Sequence, residues 1–166
     1  MRARPGNRAQ GLLIAGSRVM RCALGRSGIS ANKREGDGAT PLAAMQVLGG
    51  FRRGHRISTP TRLPLRALRT ELGWCDAPAN ANYNRLVRLP FAASHERMMR
   101  DDRLYDIVIV LDWNISSRCR NLGSAIFLHV AKPDYLPTEG CVAVSPRDMA
   151  WLLGQLRRGS LVKVVV

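Results

Sequence analysis

The chain has 166 residues, 46% of them hydrophobic, and a formal net charge of +14. That length favours one domain of the usual size, roughly 100–150 residues, and that apolar content excludes a disordered chain. Nothing approaches the run of about 18 apolar residues that a membrane-spanning helix needs. No CxxC, HxH or HExxH spacing offers a metal cage, so a structural zinc site is poorly supported. The positive charge is almost all arginine, with lysine only at Lys33, Lys132 and Lys163. Such a balance favours an anionic partner, or else reflects genome composition.

In chain order, residues 1–10 read as a basic flexible arm, and residues 11–166 as one domain. Residues 11–16 and 18–24 read as two strands turning at Gly16-Ser17. The apolar stretch at 11–16 is shorter than the roughly 7–15-residue core of a signal peptide. Residues 25–41, rich in glycine and charge, read as a long ordered loop of the kind that is usually functional. Residues 42–70 are ambiguous, broken by Gly49-Gly50 and by Pro60 and Pro64. Residues 73–84 read as a loop with turn chemistry, and 85–89 as a short strand. Asp106–Trp113 is a strand buried on both faces, because its apolar run is continuous. Ser124–Ala131, Gly140–Val144 and Leu161–Val166 read as further strands.

One helix is expected near the C-terminus. Ser145 suits the N-cap, Pro146 the first helical position, and Asp148 completes a pattern like a capping box. Met149, Leu152, Leu153 and Leu156 give one apolar face, and Gly159 ends the helix. The predicted architecture is mainly β.

The cysteines are Cys22, Cys75, Cys119 and Cys141. An oxidising compartment would allow a Cys22–Cys75 pair, while buried free thiols are the simpler reading. Cys141 stands apart, because it follows Gly140 in Thr138-Glu139-Gly140-Cys141-Val142. A glycine permits backbone shapes that a side chain blocks, so the neighbouring thiol and its amide can both face a substrate. A thiol ionises near pH 8.5 unless a neighbour lowers it, and histidine is the best such neighbour. His129 lies one loop upstream, and a hairpin-like return would set it beside Cys141. His95 is the second candidate, and His55 has no apparent partner. On spacing alone, a cysteine and a histidine near strands are more often core residues than a dyad.

Seven blocks in order change that balance: CALGRSGI (22–29), KREGDGATP (33–41), GWCDAP (73–78), NYNRLVRLP (82–90), SHERMMRDDRLYDIVIVLDWN (94–114), GSAIFLHVA (123–131) and PTEGCVAVS (137–145). Together they resemble the L,D-transpeptidase catalytic domain, or YkuD domain, in its compact bacterial branch with a TEGC-type segment. The resemblance implies a β-sandwich or mixed sheet with a helix in the C-terminal region. It implies that Cys141 is the nucleophile and His129 the general base. Gly140 and the Cys141 amide would form the oxyanion site, with Thr138 at the motif's Ser/Thr position. His95 and Glu96, and Asn82, Tyr83, Asn84 and Arg85, are candidates for binding substrate. Their bland readings are surface ion pairing with Arg97 and Arg100, and turn chemistry.

The implied reaction joins peptidoglycan stem peptides through a cysteine acyl-enzyme, in the cell envelope or periplasm and without a cofactor. Alternatives are a carboxypeptidase acting on the same stems, a silent cell-wall-binding relative, or a basic nucleic-acid-binding module. Only charge supports the last, since no basic–aromatic alternation suggests a stacking platform. The chain departs from the family pattern at Glu139, where histidine or lysine is common. It departs again at Ala143, where arginine is common, and at Ala43, where a TPxG glycine is usual.

Overall fold

A computed structural model describes residues 1–54 and 59–166, which leaves the candidate His55 outside the described residues. Fourteen strands are β1 (Arg2–Arg4), β2 (Asn7–Ala15), β3 (Arg18–Ala23), β4 (Ile29–Ser30), β5 (Thr40–Pro41), β6 (Ala44–Arg52), β7 (Leu65–Ala67), β8 (Leu72–Cys75), β9 (Arg85–Arg88), β10 (His95–Arg97), β11 (Ile107–Leu111), β12 (Phe127–Val130), β13 (Val142–Val144) and β14 (Leu161–Lys163). Helix α1 spans Pro146–Gln155, and a 3-10 turn spans Pro133–Tyr135. A mixed sheet runs in the order β1-β2-β3-β13-β12-β11-β6-β14, with β7 also on β6. A small antiparallel sheet, β10-β8-β9, forms a second layer, and β4 pairs with β5. The fold is mainly β with one helix near the C-terminus.

β11 shows why its sequence is apolar without a break. Ile107, Ile109 and Leu111 enter one core, against Met149, Leu152 and Leu153 of α1. Val108 and Val110 point the other way, into a second core with Phe127, Trp74 and Met98. Successive side chains on a strand face opposite ways, so only a strand covered on both sides reads like this. Each large side chain so buried stabilises the fold by about 1.5–3 kcal/mol. The second core lies between the main sheet and the small one, and the candidate site opens at its edge.

Several boundaries differ from the sequence reading. The expected arm at 1–10 is instead strand β1 and the start of β2, with Arg2 opposite Leu12 and Ala3 opposite Gly11. Ala3 packs on the first core, and the terminal ammonium donates to the Lys163 carbonyl at 2.5 Å, which together hold the segment in the sheet. The expected loop at 73–84 begins as β8, because Gly73, Trp74 and Cys75 pair with both β9 and β10. Ser145 caps α1 as expected, accepting from the Asp148 amide at 3.1 Å. However, α1 stops at Gln155, and Leu156 is already extended. Gly159 serves the turn into β14 instead, with φ at +86°. All four cysteines are free, with Cys22 and Cys75 both buried.

Candidate active site

β12 and β13 set the site. They pair in parallel, with Leu128 opposite Val142 and His129 opposite Ala143. The hairpin-like return expected between His129 and Cys141 is therefore replaced by a crossover through the 3-10 turn. Phe127 and His129 share one face of β12, and Cys141, just before β13, packs in the same second core as Phe127. Cys141 and His129 thus line one cleft of about 420 Å³, with 8% and 5% of their surfaces exposed.

The thiol is held by backbone. Its Sγ donates to the Ala125 carbonyl at 3.2 Å and accepts from the Phe127 amide at 3.4 Å. Ala125 has φ at +51°, a left-handed conformation that is costly for a residue with a side chain. Asn84 stabilises it. The Asn84 Oδ1 accepts from the Ala125 amide and from the Trp74 indole, each at 3.0 Å, and its Nδ2 donates to the Trp113 carbonyl at 3.0 Å. Asn84 itself has φ at +56°, which asparagine tolerates better than most residues. It is 1% exposed and does not line the cleft, so it positions the thiol's acceptor from beneath.

The imidazole is held with equal definition. His129 Nδ1 lies 2.8 Å from the Val130 carbonyl. A carbonyl only accepts, so Nδ1 carries the proton and Nε2 keeps the lone pair. The Tyr105 ring meets the imidazole edge-on, centroids 5.2 Å apart. Tyr105 donates to Glu96 Oε1 at 2.5 Å, and Arg100 stands 3.6 Å from the same oxygen. Burial raises the Glu96 carboxyl above its usual range, against the pull of Tyr105 and Arg100. Burial also pushes the Cys141 thiol up to about 12 and pulls His129 down to about 4. The thiol and the imidazole are therefore each neutral at rest, rather than a thiolate and an imidazolium. Desolvation penalises both charges, and the nearby Glu96 penalises the thiolate further.

Thr138 closes the turn before Cys141. Its hydroxyl donates to the Cys141 carbonyl at 2.6 Å and accepts from the Gly140 amide at 3.2 Å. The Gly140 amide thus bonds to the Thr138 hydroxyl within the turn. Gly140 has φ at +134°, and a Cβ there would meet the Ala39 carbonyl at 2.8 Å. The segment rests on the long loop at 25–41. The Arg26 amide donates to the Thr138 carbonyl at 2.9 Å, and the Thr138 amide to the Leu24 carbonyl at 3.0 Å. Inside that loop Lys33, 2% exposed, pairs with Asp37 at 2.6 Å. Burial opposes the Asp37 carboxylate, but Lys33 and the Ala39 and Arg34 amides hold it below its usual range.

The family model for the L,D-transpeptidase catalytic domain, YkuD, matches residues 9–166. The chain belongs to this family. No curated protein and no solved structure matches the chain.

The departures from the usual L,D-transpeptidase pattern have local explanations. Glu139 forms an ion pair with Arg26 at 2.7 Å, joining the TEGC segment to the 25–41 loop. Both side chains are well exposed, so the pair contributes little stability. Ala143 is 1% exposed between His129 and Ala23, and brings no charge to the cleft. Ala43 packs beside the first core, away from the cleft, and Thr40 of the same motif accepts from the Gly25 amide at 2.8 Å.

Of the residues considered for substrate binding in this L,D-transpeptidase domain, Glu96 lines the cleft. His95 sits on β10 with its Nδ1 2.8 Å from the Ala93 carbonyl and its ring against Phe91, and it does not line the cleft. Asn82, Tyr83, Asn84 and Arg85 do not line it either. Asn82 joins a turn through the Asn80 side chain, and Arg85 is exposed on β9. Tyr83 donates to Glu35 Oε2 at 2.5 Å and accepts from the Gly123 amide at 3.1 Å. It therefore acts behind Glu35, which does line the cleft. Sequence reasoning missed Tyr105, Glu35 and Asp76. The first precedes β11 without a periodic signal, and the other two sit in loops whose folding alone turns them inward.

Proposed function

We propose that this domain is an L,D-transpeptidase that cross-links peptidoglycan stem peptides, with Cys141 as nucleophile and His129 as general base. The observation that carries the reading is the shared cleft of Cys141 and His129, with the His129 Nε2 lone pair left available by the Val130 carbonyl. Because the resting pair is neutral, proton transfer accompanies attack. The Cys141 proton moves to Nε2 as sulfur bonds to the carbonyl carbon of the donor peptide. The Cys141 amide is the candidate donor to the resulting oxyanion, an interaction worth about 3–4 kcal/mol in comparable sites. Collapse expels the terminal D-residue, whose amine takes the proton from His129. An acceptor amine then gives its proton to His129, attacks the thioester and releases the thiol.

The cleft wall supports a peptide that bears both charges. Arg26, Arg100 and Lys132 line it together with Glu35, Asp76 and Glu96. Family membership favours a cell-wall substrate and a cell-envelope location for this activity. A carbapenem should acylate the protein once, seen as a single adduct by intact-mass spectrometry, and Cys141→Ala should abolish the adduct. An adduct retained by that variant would reject Cys141. Stem peptides supplied with excess acceptor should yield cross-linked product, and exclusive hydrolysis would instead establish a carboxypeptidase.

A further inference from the structure

The sheet face that carries His129 continues past the cleft onto β3, β2 and β1. Pairing carries the face across, since His129 is opposite Ala143, Ala143 opposite Ala23, and Ala23 opposite Gln10. Alternation then puts Arg8, Leu12 and Ile14 of β2, and Val19 and Arg21 of β3, on that same face. Arg2 of β1 is opposite Leu12, which is itself opposite Arg21, so two arginines flank one leucine. Ile14 and Val19 are direct cross-strand partners near the Gly16-Ser17 turn, 54% and 59% exposed. The first 34 residues hold seven arginines and one lysine, and no aspartate or glutamate. Arg18 faces the other way, paired with Asp148, and so does not share this shelf.

We propose that this shelf docks on an anionic phospholipid bilayer. Its two halves match the two layers of such a surface. Arg2, Arg8 and Arg21 meet lipid phosphates, and Ile14 and Val19 enter the acyl boundary together at the hairpin end. A soluble polyanion would satisfy the arginines but gain nothing from two exposed β-branched side chains. A bilayer rewards both, and docking there would hold the cleft, on the same face, close to the membrane.

Co-sedimentation with vesicles tests this. The protein should bind phosphatidylcholine vesicles doped with phosphatidylglycerol, lose that binding as salt rises, and ignore phosphatidylcholine alone. Arg2→Glu with Arg8→Glu should weaken binding at least about tenfold, since each basic residue near such a surface contributes substantially. Ile14→Ser with Val19→Ser should weaken it comparably, and unchanged thermal unfolding in both variants would show the fold intact. Equal binding to neutral vesicles would overturn the proposal. So would full binding by the Ile14→Ser/Val19→Ser variant, or polyphosphate bound as tightly as the vesicles.

Discussion

Asn84 shows how much of the site is built one shell away from the chemistry. Its Oδ1 serves the Ala125 amide and the Trp74 indole, and the Ala125 carbonyl in turn accepts from the Cys141 thiol. Asn84→Ala strands two donors in a buried place, so it should destabilise the domain by about 2–3 kcal/mol. It should also slow carbapenem acylation of Cys141, because Ala125 would relax from its left-handed backbone and the thiol would lose its acceptor. Thermal unfolding and the acylation rate separate the two effects. Lower stability with an unchanged rate would limit Asn84 to a structural role. As a residue in NYNR, Asn84 was visible as a polar side chain in a turn. Its role was not, because its partners lie on β8, before β12 and beyond β11.

At the scale of elements, the nucleophile segment depends on the loop at 25–41. That loop was legible as long, glycine-rich and charged. Its task became clear only where Gly140 meets the Ala39 carbonyl and Thr138 bonds to Leu24 and Arg26. The Lys33–Asp37 pair holds it together. Asp37→Ala leaves a buried ammonium without its carboxylate, held only by the Arg34 carbonyl, and should cost about 3–5 kcal/mol. Lys33→Met combined with Asp37→Ala should recover part of that loss, since it removes the stranded charge. Urea denaturation of the two variants measures the difference, and an equal loss in both would mean that the Asp37 bonds to the Ala39 and Arg34 amides dominate. The strands containing His129 and Cys141 were also legible from their apolar runs. Their parallel pairing was not, because a parallel or an antiparallel neighbour leaves the same mark on a buried strand.

For the whole molecule, burial of the two candidate groups ties stability to pH. His129 falls from an ordinary 6.5 to about 4 on folding. Between those values the unfolded chain holds a proton that the folded one does not, so stability declines as pH falls through that window. The loss is on the order of 3 kcal/mol by pH 4. Cys141 behaves in the opposite sense. Its folded value near 12 lies above the ordinary 9.0, so its contribution is present below pH 9 and fades as pH rises toward 12. Unfolding free energies followed from pH 7 down to pH 4 should show a shallower decline in His129→Phe than in the parent chain. Identical slopes would mean that other groups control the acid limb.

The amino-acid sequence by itself determined the mainly β architecture, the capped helix, the two-faced strand at 107–111, and the family, through ordered blocks running from 22 to 145. Each of these rests on local signals: alternation, capping residues, apolar runs and contiguous motifs. Tertiary structure alone decided that β12 and β13 run in parallel, and that the Gly140 amide bonds to the Thr138 hydroxyl. It also decided that Asn84 and Tyr83 lie behind the cleft, while Tyr105 stands beside His129 and Glu96 lines the same cleft. Those outcomes depend on which distant segments meet, and burial at those meetings leaves the thiol and the imidazole both neutral at rest.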